Sequence, residues 1–369
     1  MKKLLYSLAV LFLVAACGGQ DRFTLQGTVT DADQLPEGAV VNVTDADRNE
    51  LGSTSVVDGK FTIKGDADPR TRYSVTISYP EKDPRDRSWR AAFIPEKGTI
   101  SMTMSKNDSE VSGGSVNSAY TELQEKLFEA SKEIQEKMAA MVEATEEETR
   151  KLYDEFEERR AALNKDAIAK NSDNYVAMAA LRNIIYDIEL DELDGLLGSC
   201  GSFVAENESI RKIRDSKVAA QNTGAGKPYA DFSGKTPDGA DIKLSDIVGK
   251  GRWVLADFWA SWCGPCMREI PNIKRTHETL SGDKFTVLGI AVWDADTNGG
   301  NSKSLAKMGE MKMTWPQIFV GDDRTPTDLY GISGIPTLIL FAPDGTVYQR
   351  GESLRGERMT EMIKEIINQ

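Results

Sequence analysis

Apolar and polar residues alternate along the segment that starts at residue 22. In Phe23–Val29 every second residue is apolar or glycine, which is the period of a half-buried β-strand. Similar short runs follow at Val41–Thr44, Ser53–Val57, Lys60–Lys64, Tyr73–Tyr79 and Ile100–Met104. The Asp58-Gly59 pair between two of these runs predicts a hairpin turn, because glycine adopts a positive φ at no steric cost. We therefore predict a small antiparallel β sandwich or barrel over residues 22–111.

The pattern becomes helical after residues 112–115, a Gly- and Ser-rich segment that we interpret as a linker. Residues 118–163 contain no proline or glycine, and apolar residues recur there every seven positions, at Tyr120, Leu127, Ile134 and Met141. One or two amphipathic helices with a charged outer face are predicted, followed by helices near 175–190 and 209–220, in a helical region over residues 116–220. The spacing also allows a homodimeric coiled coil, although the apolar seam changes register.

A second glycine-rich break, residues 221–227, precedes a region in which strands and helices alternate. Three apolar runs have the length of buried strands, at Trp253–Trp259, Phe285–Val292 and Leu338–Phe341. Helix-compatible sequence follows the first run, up to about Leu280, and closes the chain at Arg355–Ile367. This alternation predicts an α/β domain over residues 226–369, so the whole chain is predicted to be multidomain.

The charge balance of the 369-residue chain argues against one class of partner. Its 45 basic and 58 acidic side chains give a net charge of −13. An acidic chain repels phosphate, so we expect no nucleic-acid partner.

The first residues have the layout of an export signal. Lys2 and Lys3 precede the apolar run Leu4–Ala16, which at 13 residues is too short to span a bilayer of about 30 Å as a helix. The segment Leu13–Cys17 resembles a bacterial lipobox, so residues 1–17 are predicted to be a lipoprotein signal and Cys17 the lipidation site. An ordinary signal peptide with a chance cysteine is the alternative. Lipidation would anchor the protein in the cell envelope, facing the periplasm or on the outer membrane.

The remaining cysteines point to redox chemistry. A Cys-x-x-Cys pair, Cys263 and Cys266, can bind zinc or carry a redox disulfide, but a structural zinc site needs four ligands. The sequence has no second Cys-x-x-Cys, and His277 is its only histidine, so no metal and no cofactor is expected. The pair follows a strand and opens a helix, whose N-terminus would favour a thiolate at Cys263. Cys200 stands alone and is interpreted as a structural residue rather than a redox partner.

The residues around this pair resemble the active site of thioredoxins. Asp257–Cys266, which reads Asp-Phe-Trp-Ala-Ser-Trp-Cys-Gly-Pro-Cys, is similar to the thioredoxin active-site segment, and Gly334–Thr337 is similar to the loop that carries its cis-proline. The resemblance implies that Cys263 attacks, Cys266 resolves and Asp257 transfers a proton, with a purely structural carboxylate as the alternative for Asp257. It also implies the remaining site residues, which are Pro336, Ile335, Trp262, Gly264 and Pro265.

Two additions resemble a subfamily. An entry segment at residues 228–250 and a polar insertion at residues 294–312 are similar to the membrane-anchored TlpA/ResA branch of peroxiredoxin-related thioredoxins. The β domain likewise resembles a small domain of unknown function that precedes such domains. The resemblance implies a disulfide reductase that acts outside the cytoplasm on protein substrates, including apocytochrome c, with electrons from a transmembrane thiol donor.

Two other functions stay open. Peroxiredoxins share the scaffold but carry a threonine and a proline shortly before the peroxidatic cysteine, whereas Phe258–Trp262 precedes Cys263 here. The large N-terminal half also allows a binding lipoprotein whose redox domain only targets partners.

Overall fold

The computed structural model describes residues 21–368 except residues 81, 84, 85, 87, 142, 143 and 298. The chain divides into two compact units, an N-terminal unit ending at Ile210 and a C-terminal unit beginning at Arg211. The predicted signal, with its lipidation site Cys17, lies outside the described residues. Within the described part, no helix combines the length and apolar character needed to cross a membrane.

In its described residues, the N-terminal unit begins with eight strands in two four-stranded sheets. The strands are β1 Arg22–Val29, β2 Val40–Thr44, β3 Glu50–Ser55, β4 Lys60–Asp66, β5 Tyr73–Ser78, β6 Arg90–Phe93, β7 Gly98–Met104 and β8 Ser109–Ser112. The strand orders are β4-β1-β7-β8 and β3-β2-β5-β6. Alternate residues of both sheets, such as Leu25 and Val41, are buried in one shared apolar core.

The prediction of a purely antiparallel domain is wrong in one place. β1 pairs antiparallel with β4 but parallel with β7, with Leu25 opposite Ile100. A parallel pair needs a long crossover connection, and here the strands of the second sheet lie between β1 and β7 in the sequence. In the described residues neither sheet closes on itself, so no closed barrel is formed.

Gly27 is placed where the core leaves no room for a side chain. A Cβ atom on Gly27 would lie 1.9 Å from Cζ of Phe61, its buried partner across β1 and β4. We expect Gly27→Ala to lower the free energy of unfolding of this unit by about 1–3 kcal/mol, because the ring must move in a packed core. Urea unfolding followed by circular dichroism measures the change. Gly52→Ala is the matched control, since nothing lies within 4 Å of its Cβ. Equal midpoints for the two variants would contradict this account.

Among the residues that the structure describes, five helices follow in the N-terminal unit, and a sixth begins there and continues past Arg211. They are α1 Ser115–Ala140, α2 Glu146–Lys170, α3 Tyr175–Ile184, α4 Leu190–Ser199, α5 Ser202–Ala205 and α6 Glu208–Asn222. The Glu96 carboxylate accepts hydrogen bonds from the first free N–H groups of α1, those of Val116 and Asn117, at 3.1 and 2.7 Å. A Thr145 and Glu148 capping box starts α2.

Two sequence-based boundaries in this unit are wrong. Ser112 belongs to β8 and Ser115 begins α1, so the predicted linker at residues 112–115 is reduced to Gly113 and Gly114, both with positive φ. The helix predicted near 175–190 ends at Ile184, and a separate helix begins at Leu190. A homodimer through this helical region stays a prediction.

The C-terminal unit is built on one seven-stranded sheet of order β10-β9-β13-β12-β11-β14-β15. Its strands are β9 Ser233–Lys235, β10 Asp241–Lys243, β11 Trp253–Trp259, β12 Phe285–Val292, β13 Gln317–Gly321, β14 Thr337–Phe341 and β15 Val347–Arg350. Its further helices are α7 Gly264–Leu280, α8 Ser302–Glu310, α9 Thr325–Leu329 and α10 Met359–Ile367. β11, β12 and β13 are parallel to one another. β14 pairs antiparallel with β11, and β15 pairs antiparallel with β14.

Both faces of this sheet are covered, which explains why its central strands are mostly apolar, with Asp257 of β11 as a buried exception. Ile270 of α7 and Ile363 of α10 pack in the core on one face. The entry segment at residues 228–250 supplies Phe232 and Leu244 to the core on the other face. The last helix begins at Met359 rather than Arg355, because Arg355 has an extended backbone conformation after the 3-10 turn Glu352–Leu354. The unit has the predicted thioredoxin-like α/β architecture.

Candidate redox active site

The two predicted redox cysteines lie at the junction of β11 and α7. Cys263 is the N-cap residue of α7 and Cys266 lies in its first turn. Their sulfurs form a disulfide across a Cα–Cα distance of 5.3 Å. A pair spaced by two residues at a helix start is therefore within bonding reach, as the sequence predicts.

Both cysteines of the pair are buried. Cys263 is 3% exposed and Cys266 is 1% exposed. The residues packed around Cys263 therefore restrict the direction from which a substrate sulfur can approach its Sγ atom.

The helix start provides a hydrogen-bond donor for the attacking sulfur. The backbone N–H of Cys266 points at Sγ of Cys263 with an N···S distance of 3.1 Å. Free N–H groups and the positive end of the helix dipole stabilise negative charge at this position. The site is thus arranged to favour a thiolate on Cys263 when the disulfide is reduced.

The predicted cis-proline loop lies beside this sulfur. The Ile335–Pro336 peptide bond is cis, as the sequence predicts. The carbonyl oxygen of Ile335 lies 3.6 Å from Sγ of Cys263. The loop therefore presents the carbonyl group of Ile335 next to the reacting atom.

The remaining predicted neighbours lie on the surface around the pair. Trp262 is 62% exposed, although its indole N–H donates to the Trp293 carbonyl oxygen at 2.9 Å. Gly264 and Pro265 are exposed and form the first positions of α7, where proline is tolerated because its missing N–H has no helical partner to lose.

Asp257 lies within β11 and is 1% exposed. Neither of its carboxyl oxygens has a hydrogen-bond partner within the described residues. Burial raises the pKa of Asp257 to about 8, the charge of Glu269 adds to this effect, and Arg355 opposes it. A carboxyl group with this pKa can both accept and donate a proton near neutral pH.

A second carboxylate, Glu269, acts on Asp257 through its charge and was not predicted. It lies on α7 three residues after Cys266, which places the two side chains on one helical face. Its carboxylate is 8% exposed and accepts hydrogen bonds from Asn272 Nδ2 at 3.1 Å and the Gly356 N–H at 2.8 Å. This spacing from Cys266 is the sequence signal that could have identified it.

Cys200 is a free, half-buried cysteine of the N-terminal unit, at the end of α4. Burial raises the pKa of its thiol, which makes it a poor nucleophile. In the described residues, no group of three or more His, Cys, Asp or Glu side chains is placed to hold a metal ion.

Residues 225–350 match the model of the AhpC/TSA family. The chain is 28% identical over 151 residues to "Thiol-disulfide oxidoreductase ResA" of Bacillus subtilis (strain 168), which covers 40% of this chain and 76% of that protein. It is also 28% identical over 122 residues to "Thioredoxin-like protein YneN" of the same organism, covering 33% and 68%. With the cysteine pair in place, the chain is a thioredoxin-like thiol–disulfide oxidoreductase.

Two further similarities complete the comparison. The thioredoxin domain of a thiol–disulfide oxidoreductase from Bacteroides vulgatus aligns with a TM-score of 0.35 and 25% identity, over 39% of this chain and 99% of that domain. Residues 23–120 match the model of a domain of unknown function, DUF4369, and this match runs from β1 into α1. It agrees with the resemblance of the β domain noted from the sequence.

Proposed function

We propose that this oxidoreductase reduces disulfide bonds of other proteins outside the cytoplasm. The observation that carries the proposal is the Cys263–Cys266 pair at the start of α7, with the Cys266 N–H directed at Sγ of Cys263. The Gly264-Pro265 dipeptide between the cysteines, which is that of reducing thioredoxins, supports the reducing direction.

The reaction proceeds in two exchanges between sulfur atoms. The thiolate of Cys263 attacks one sulfur of a substrate disulfide, and the other substrate sulfur leaves as a thiolate and takes up a proton. Cys266 then loses its proton and attacks Cys263, which releases the second substrate sulfur as a thiol. The enzyme pair is oxidised to a disulfide and the substrate is reduced by two electrons and two protons.

We assign the surrounding residues to this reaction by their positions. Asp257, a buried carboxyl group with a raised pKa, accepts the proton of Cys266 in the second exchange. Pro336 holds the Ile335 carbonyl beside Cys263, where an extended substrate segment can align. Trp262 offers an exposed apolar surface next to the pair.

The proposed location follows from the N-terminal sequence. Lipid on Cys17 would hold the enzyme on the membrane of the cell envelope. Outside the cytoplasm a dithiol needs an external electron supply, which we assign to a transmembrane dithiol donor that is oxidised as Cys263–Cys266 is reduced. Among its protein substrates we include apocytochrome c, as the TlpA/ResA resemblance implies.

The insulin assay tests the proposed function. The purified chain with dithiothreitol is expected to precipitate the insulin B chain faster than dithiothreitol alone, because thiolate attack by Cys263 cleaves the interchain disulfides. Turbidity measures the rate. A rate equal to that of dithiothreitol alone would contradict a protein disulfide reductase. Peroxide consumption, measured in parallel, distinguishes the peroxidase alternative, for which Phe258–Trp262 lacks the expected threonine and proline.

A further inference from the structure

The loop after β12 holds the two residues that precede Cys263. The N–H of Ser261 donates to Oδ2 of Asp294 at 2.8 Å, and the Ser261 hydroxyl donates to Oδ1 at 2.9 Å. The indole N–H of Trp262 donates to the Trp293 carbonyl oxygen at 2.9 Å. Trp293 and Asp294 of this loop therefore bind Trp262 and Ser261, the two residues that precede the attacking Cys263.

Asp294 makes these contacts from a buried position, since it is 3% exposed. A third donor, the hydroxyl of Ser304 in α8, lies 2.6 Å from Oδ2. Both oxygens of the carboxylate are thus held, and Asp294 connects the active-site turn to the inserted helix. Hydrogen bonds to a carboxylate are stronger than those between neutral groups, so this junction is firmly fixed.

The backbone of the loop is strained at the residue next to Asp294. Trp293 has a φ of 54°, a left-handed conformation that a bulky residue rarely adopts. Such strain persists only where the surrounding contacts enforce it, and it concentrates at functional sites. The Trp293 indole N–H donates to Oγ1 of Thr327 at 3.3 Å, and the Thr327 carbonyl accepts from the Ile332 N–H at 2.8 Å. The same loop therefore also contacts the segment that leads into the cis-proline loop.

We propose that Asp294 is a positioning residue that fixes Ser261 and, by its charge, keeps the Cys263–Cys266 dithiol a strong reductant. The inference rests on the proposed reducing function. A carboxylate that binds the backbone two residues before Cys263 opposes the accumulation of negative charge at the helix start. Because a dithiol whose thiolate is less stabilised gives up its electrons more readily, Asp294 favours reduction of substrates.

Replacement of Asp294 by asparagine tests this role through the redox equilibrium. Two glutathione thiols reduce the Cys263–Cys266 disulfide and leave one glutathione disulfide, with two electrons and two protons transferred. In Asp294→Asn we expect the equilibrium constant for this reduction to rise at least about fivefold, because the opposing charge is removed. Thiol alkylation followed by mass spectrometry of the full chain measures the reduced fraction.

Asp296→Asn is the matched control in the same loop. Its carboxylate accepts from the Ser302 N–H at 2.8 Å, at the start of α8, and has no such bond to Ser261. We expect this variant to stay within about twofold of the wild type, because the Asp296 carboxylate holds the start of α8 rather than Ser261. Equal shifts in Asp294→Asn and Asp296→Asn, or no shift in either, would overturn the proposal.

A second variant decides the case in which Asp294→Asn fails to fold. Ser261→Ala keeps the carboxylate but removes one hydrogen bond that neutralises it, so the equilibrium constant is expected to fall about twofold, opposite in direction. If the substitutions only loosened the turn, the equilibrium constant would change in the same direction in both variants. An equilibrium constant that rises or stays unchanged in Ser261→Ala would overturn the proposed effect of the Asp294 charge. An inactive wild type in the insulin assay would instead refute the proposed function, because the glutathione equilibrium requires no protein substrate.

Discussion

The Cys263→Ser variant is expected to show no insulin reduction above that of dithiothreitol alone. Serine has nearly the same size, so the helix start and its N–H groups should be kept. The hydroxyl group cannot form a thiolate, and the thiolate is the nucleophile in disulfide exchange. Loss of activity in a folded variant would therefore report on the chemistry at Sγ.

Two further variants sharpen this experiment. Cys200→Ser removes the one free cysteine of the described residues and should leave the rate unchanged, because that thiol is half-buried in the N-terminal unit and has a raised pKa. Cys266→Ala should accumulate a mixed disulfide between Cys263 and the substrate, visible as a mass increase that dithiothreitol reverses. Residual activity in Cys263→Ser comparable to the wild type would exclude the assigned nucleophile.

The chemistry of the site could be predicted because its residues are close in sequence. A strand followed by Cys-x-x-Cys at a helix start fixes the sulfurs, the donor N–H and the helix dipole within one short segment. Pro336 was identified at a distance of 70 residues because a proline before an apolar strand forms a recognisable motif. Glu269 and Asp294 were missed as site residues, since a carboxylate on a helix or in a loop is most often solvated, and only burial distinguishes these two.

The fold was predictable where one periodicity was strong. β11 and β12 have the predicted bounds. Both faces of the sheet are covered, so nearly all residues of these two strands are buried and most of them are apolar. The parallel pairing of β1 with β7 could not be predicted, since alternation identifies a buried face and does not identify the neighbouring strand. The helix end at Ile184 could not be predicted, because no glycine or proline marks it in residues 184–190.

Replacement of Asp257 by asparagine is expected to slow insulin reduction by about a hundredfold or more, because a positioned general base contributes about 10²-fold to 10⁴-fold. Asparagine has the same shape but cannot accept the proton of Cys266. The pKa of about 8 means that the carboxylate fraction of the wild type grows as the pH rises towards that value. The ratio of wild-type to variant rates should therefore increase from about pH 6 to about pH 8. An unchanged rate at every pH would leave Asp257 with a structural role only.

The same substitution is expected to stabilise the C-terminal unit, and the pH dependence has a definite sign. The folded pKa of about 8 lies above the ordinary value of 3.8 for an aspartate, so between these two pH values the folded state binds a proton that the unfolded state has lost. Wild-type stability therefore falls as the pH rises through this window, whereas asparagine does not titrate. Near pH 7 the variant should be more stable by about 2–4 kcal/mol, with the difference shrinking towards about pH 4.

Urea unfolding at several pH values measures this difference, and a gap that does not change with pH would contradict the raised pKa. Slower reduction together with higher stability would have one physical explanation. That explanation is a buried carboxyl group without a hydrogen-bond partner in the described residues, which lowers the stability of the fold but has a proton affinity suited to the transfer that we propose at Cys266. Higher stability without slower reduction would separate the two effects and place the proton acceptor of Cys266 elsewhere, with Glu269 as the nearest candidate on the same helix.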